Sequence, residues 1–127
     1  MKINKEDIPV AMQAAGVTMR TQPGYGGMTV AFNELPKGTD LTPLLQGLEH
    51  NSCHCPHWGY ILEGVMLLKY DSGKEDLLKA GDVFYAPPGH TAIVQENLKL
   101  IDFSPSKEFN EVVEHIGKKM AEFAEKE

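Results

Sequence analysis

An all-β domain of the antiparallel sandwich or barrel type, closed by one C-terminal α-helix, is the fold class this sequence predicts. Two observations carry it. Between Met28 and Phe103 the chain is a series of short β-forming runs cut by turn residues at regular spacing. After Ser106 the apolar period changes from strand-like to helical. A length of 127 residues argues for one domain, 1–127, with the strand core over about 28–104 and the helix over about 107–125.

The elements follow in order. Ile8, Val10 and Met12 alternate and suggest an edge strand, weakened by Pro9. Pro23-Gly24 and Gly26-Gly27 mark a turn or loop. Met28-Thr29-Val30-Ala31-Phe32 is rich in β-formers; the apolar stretch from Leu41 to Leu48 is interrupted by Pro43 and Gly47 and stays ambiguous. Trp58–Leu62 and Val65–Tyr70 flank Glu63-Gly64, which reads as hairpin punctuation. Asp71-Ser72-Gly73-Lys74, Ala80-Gly81-Asp82 and Pro87-Pro88-Gly89 are turns around the runs at Leu77-Leu78 and Val83-Phe84-Tyr85, and Glu96-Asn97 separates Ala92–Gln95 from Leu98–Phe103. In the tail, Phe109, Val112, Val113, Ile116, Met120 and Phe123 line one face of a helix, with Ser106 offered as N-cap. That stripe is expected to pack on the strand core or on a partner subunit. His115 falls at its border.

Charge and composition exclude several functions. Twelve basic residues, of which only Arg20 is arginine, against eighteen acidic ones give a net charge of -6. Nucleic-acid binding, which needs clustered cations, is not expected. No apolar run approaches the ~20 residues of a spanning helix, so no membrane association is expected. Glu6 and Asp7 interrupt the place where a secretory signal would carry its apolar stretch, and a cytoplasmic location is the expectation. The two cysteines are separated by one residue, too far apart along a strand (roughly 6.6 Å between Cβ atoms) for a disulfide that needs about 3.8 Å.

Chemistry concentrates in Cys53-His54-Cys55-Pro56-His57. Positions 53, 55 and 57 share one face of an extended chain; His54 and Trp58 take the other. Thiolate and imidazole together suit zinc, with iron, copper or nickel also compatible. A straight strand would hold the Cβ atoms of Cys53 and His57 roughly 13 Å apart, beyond the combined reach of a cysteine and a histidine to one metal. The chain is therefore expected to bend between them, at Pro56. His90, after Pro87-Pro88-Gly89, is the fourth candidate.

His57-Trp58-Gly59-Tyr60-Ile61-Leu62-Glu63-Gly64 resembles the end of the first cupin motif. Gly81-Asp82-Val83-Phe84-Tyr85-Ala86-Pro87-Pro88-Gly89-His90 resembles the second. The resemblance covers about residues 28–104 and implies a jelly-roll β-barrel whose interior holds a metal or a small ligand. Within that superfamily the chain looks like small single-domain members with a Cys-x-Cys-Pro-His-Trp-Gly-Tyr signature. The usual ligand places hold Asn51, Cys53, His57 and Ala92, so the three-histidine, one-carboxylate site does not carry over. A shell of Cys53, Cys55, His57 and His90 with a divalent ion, zinc preferred, is expected in its place. The bland alternatives are that the cysteines are small core residues, that His57 is a satisfied core histidine and that His90 caps a turn. His54 is expected to face outward; Glu49 and His50 are loop residues held in reserve; Tyr60 and Tyr85 are expected in the core and Trp58 outside it.

The expected function is a metal-binding small cupin that holds a small molecule in its barrel. A metal-dependent oxygenase, isomerase or lyase, or a metal-free binding or sensing module, are the alternatives. A homodimer is the expected assembly.

Overall fold

A computed structural model describes residues 1–125. After a short 3-10 turn (Lys5–Asp7) come β1 (Val10–Ala14), β2 (Val17–Tyr25) and β3 (Met28–Leu35). Two 3-10 turns, Thr42–Leu45 and Glu49–Asn51, fill the ambiguous apolar stretch and its sequel. Then follow β4 (His57–Tyr70), β5 (Glu75–Lys79), β6 (Val83–Ala86), β7 (His90–Pro105) and α1 (Ser106–Glu125). The strands form one antiparallel sheet in the order β1-β2-β3-β7-β4-β5, with β6 also paired to β4. This is a jelly-roll-type sheet, but hydrogen bonding does not close it into a continuous barrel.

Two punctuation marks in the sequence turn out to be one device. Glu63-Gly64 is not a hairpin turn and Glu96-Asn97 does not separate two strands: β4 and β7 run straight through both. The register slips between Ile61 and Met66, where Glu63 pairs with Lys99 and Val65 with Glu96. Gly64 sits at φ +92°, and a Cβ there would run into the carbonyl oxygen of Asn97. The slip is a β-bulge, which bends strands and increases their twist. It also resets the inward face of β4 from His57, Gly59 and Ile61 to Met66 and Leu68. The bend is large. Laid straight, β4 would separate His57 from Tyr70 by roughly 43 Å. Yet Tyr70 pairs with His90, and the rings of His90 and His57 lie 5.1 Å apart. The β4–β7 ribbon thus curls back on itself and brings both ends to one place.

Elsewhere Pro23-Gly24 is not a turn but an irregular stretch of β2, where pairing skips from Gln22 to Tyr25; the turn is Gly26-Gly27. Tyr60 and Tyr85 are corrected from core to surface, because the inward parity of β4 and β6 belongs to Ile61, Phe84 and Ala86. Trp58 is half-exposed, as its parity requires.

The core has two parts. One packs Ile61, Met66, Leu68, Leu78, Phe84, Val94, Leu98 and Leu100 between the curled strands. The other joins Ala31, Leu45, Cys53 and Cys55 to Phe109 and Val112 of α1. The apolar stripe of the helix therefore covers its own sheet. Ser106 opens α1, but its hydroxyl lies 2.7 Å from that of Thr29 and tethers the helix to β3. His115 reaches the carbonyl of Gln46 at 2.7 Å, as a border residue.

Candidate metal centre

Cys53, His57 and His90 converge. Each offers one donor atom, and the three atoms lie within 4.8 Å of one another. Backbone pairing fixes Cys53 beside His90: Cys53 N–H donates to His90 O at 2.7 Å, and Gly89 N–H donates to Cys53 O at 2.8 Å. The chain then leaves the extended path through Cys55-Pro56 before β4 starts at His57. This bend, expected from the reach of the two side chains, brings Cys53 Sγ to 3.7 Å from His57 Nε2.

Both imidazoles are held in the same tautomer. His90 Nδ1 lies 2.8 Å from the carbonyl oxygen of Pro87, which can only accept, so Nδ1 carries the proton. His57 Nδ1 lies 2.6 Å from Ser104 Oγ, whose own hydroxyl donates to Asp102 Oδ1 at 3.1 Å. Ser104 therefore accepts from His57, and Nε2 is the free nitrogen of each ring. Outer hydrogen bonds of this kind orient histidine ligands of metals.

The site is buried, and burial sets its ionisation. It pulls both His57 and His90 down to about 4, so the rings are neutral near pH 7. It pushes the thiols up, Cys53 to about 11 and Cys55 to about 12. Asp102 is pushed up to about 7 by desolvation, against the stabilising bond from Ser104. The 3.9 Å approach of Asp102 to His57 is accordingly not an ion pair, because the ring is neutral.

The donor set fits a divalent ion. With Zn–S near 2.3 Å and Zn–N near 2.0 Å, a tetrahedral ion separates sulfur and nitrogen by about 3.5 Å. The observed 3.7 Å between Cys53 Sγ and His57 Nε2 matches that edge. Three protein donors leave a fourth position, and all three residues line a cavity of about 360 Å³.

The remaining candidates fall elsewhere. Cys55 is fully buried and also lines the cavity, but it lies outside the triad, with its thiol 3.4 Å from the carbonyl of Pro56. His54 points outward and meets Glu111 of α1 at 3.0 Å. Glu49 and His50 are exposed on a 3-10 turn. Asp102 and Ser104 went unread. Their signal was parity: Leu98, Leu100, Asp102 and Ser104 share the inward face of β7, so an acid and a hydroxyl stand where an apolar pair would continue the core.

No family model matches the chain, and no curated protein matches it. Solved structures do. An RmlC-like cupin from Shewanella frigidimarina matches at 21% identity and TM-score 0.58, over 81% of this chain and 88% of that one. KdgF from Halomonas sp. matches at 22% identity and TM-score 0.55, over 81% and 92%. The polyketide cyclase RemF from Streptomyces resistomycificus matches at 16% identity and TM-score 0.56, over 83% and 78%. The chain has the fold of a small cupin domain.

Proposed function

We propose that this protein is a metal-binding cupin that holds a small molecule in its interior, with Cys53, His57 and His90 as ligands. One observation carries the reading: three soft or borderline donors, two of them fixed in the metal-ready tautomer, meet at the wall of an internal cavity. One thiolate and two imidazoles suit zinc first; iron and nickel fit the same set. Swinging the Cys55 thiol from the Pro56 carbonyl to the triad would complete the closed four-ligand shell read from the sequence, and closed zinc shells are usually structural. Three ligands leave room for a water or a small molecule. Metal analysis of protein purified without an affinity tag tests the reading. We expect one ion per chain, retained by Cys55→Ser and lost by His90→Ala; no ion and no uptake of added zinc would sink it.

The fourth position favours a second reading, a metal-dependent enzyme. A bound divalent ion would supply Lewis acidity or an acidified water there. Among fold neighbours, RemF is a polyketide cyclase and another is an oxalate decarboxylase, so the same fold carries several chemistries. Turnover by metal-loaded protein and none by His57→Ala would support it.

We propose also that two copies pair. Trp58 and Tyr85 stack at 5.1 Å on the outer face, Phe103 pairs beside Trp58, and Val83 next to them is 82% exposed. Such an apolar patch is costly in water, and a second copy related by a two-fold axis would cover it. Light scattering should give twice the chain mass, reduced by Trp58→Glu; monomer mass at all concentrations would contradict it. No described helix is long and apolar enough to cross a membrane. Both cysteines are free, as a cytoplasmic location, which we retain as part of the proposal, would keep them.

A further inference from the structure

The cavity is chemically lopsided. Its polar donors gather at one pole, Cys53, His57 and His90, with Asp102 turned away to Ser104. The rest of the wall is aliphatic, thioether and aromatic, from Met12 and Met19 of the first strands, Leu44, and Phe109, Ile116 and Met120 of α1. Among the described residues, only Asn33, Thr39 and Thr91 add hydrogen-bonding side chains, and no lysine or arginine lines it. Thr39 is already engaged with the Pro36 carbonyl at 2.7 Å, and Thr91 lies 2.9 Å from Thr42.

This wall excludes whole classes of ligand. With Asn33 the one wall side chain left to pair, a sugar or a polyol would bury most of its hydroxyls without partners, at a cost of about 1–3 kcal/mol each. A phosphate or a dicarboxylate would bring charge to a wall with no cation. A long apolar body, in contrast, loses nothing there and gains about 0.8 kcal/mol per buried methylene. At about 360 Å³ the space is at the low end for small-molecule sites, enough for a body of roughly ten to fifteen non-hydrogen atoms.

The only place for a charged head is the pole. A divalent ion held by one thiolate and two neutral imidazoles keeps a net charge of +1, the single positive centre facing the cavity. We infer that the cavity takes a medium-length apolar monocarboxylate, its carboxylate directed to the ion at Cys53, His57 and His90 and its body along the wall made by β1, β2 and α1. The inference rests on the metal reading above.

Calorimetry of the zinc-loaded full chain with butanoate, hexanoate and octanoate is the test, preceded by a titration with zinc alone. Affinity is expected to rise about threefold to fourfold for each added methylene. Octanedioate, which must bury a second carboxylate against the apolar wall, is expected to bind at least a hundredfold more weakly than octanoate. Ile116→Asp should weaken octanoate at least tenfold and leave zinc affinity unchanged. Should that variant misfold, the chain-length series on the native protein still decides. Zinc binding without chain-length dependence, or octanedioate equal to octanoate, overturns this inference and leaves the metal reading standing. Failure of zinc to bind at all overturns both.

Discussion

The two ends of the cavity are built in opposite ways. At the polar pole every side chain has a directional partner: the Cys53 thiol donates to the Cys55 carbonyl while its backbone pairs with His90, His90 is fixed by the Pro87 carbonyl, His57 by Ser104, and Ser104 by Asp102. At the apolar wall Met12, Met19, Ile116 and Met120 have no such partners and are held by contact alone. All four are partly exposed, and three are methionines, whose side chain adapts to neighbouring shape. The difference teaches which end would select under the proposed reading: the pole would fix one atom of a guest, and the wall would tolerate variation in its body.

Removing a ligand should break the contrast most sharply. His57→Ala is expected to weaken zinc binding on the order of a thousandfold. His54→Ala, next to Cys53 in sequence but turned outward to Glu111, should change it less than twofold. Competition with a chelating dye measures both.

The bend that brings the pole together should be nearly as sensitive. Gly64→Ala puts a Cβ against Asn97 O at a positive φ, and we expect about 3 kcal/mol of lost stability in urea unfolding, with weaker metal binding as a consequence. Ser104→Ala frees the His57 ring to rotate and leaves Asp102 without its hydroxyl partner; zinc affinity should fall by about 10–100-fold, alongside some loss of stability.

Ionisation sharpens the same contrast, because only the pole titrates. Without metal, the unfolded chain takes up two protons at His57 and His90 below pH ~6.5, which the native rings refuse until about 4. Asp102 works the other way: native, it keeps its proton up to about 7, while the unfolded chain has released it above 3.8. Between pH 4 and 6.5 the unfolded state thus binds two protons against one in the native state. Stability should fall on acidification by about 1.4 kcal/mol per pH unit from these groups. Asp102→Asn removes the opposing proton and should double that slope, as read by urea unfolding across the window. The smallest effect belongs to the wall: Ile116→Leu, volume-conserving against a partly exposed surface, should change stability by less than ~1.5 kcal/mol and zinc affinity not at all.

Much of this was legible in the chain. From Met28 onward, turn residues and alternation located most strand ends, though β2 (Val17–Tyr25) was not read as a strand; the helical period gave α1, and simple reach predicted the bend at Pro56 that lets Cys53 meet His57. Three things were not legible, for physical reasons. Glu63-Gly64 and Glu96-Asn97 have the composition of turns, and only pairing across strands reveals that they face each other as one bulge. Cys55 shares a strand-like parity with Cys53, but parity ceases to fix direction once the chain leaves extended geometry, and its thiol lies outside the triad. Asp102 and Ser104 lay on a recognisable inward face, yet their partnership with His57, 47 residues away from Ser104, is a product of the fold.

X-ray absorption at the zinc edge of the loaded protein tests the central claim most directly. A first shell of one sulfur near 2.3 Å and two imidazole nitrogens near 2.0 Å, with one exchangeable light atom, is the expected spectrum. A shell without imidazole scattering, or a fully hydrated ion, would contradict it.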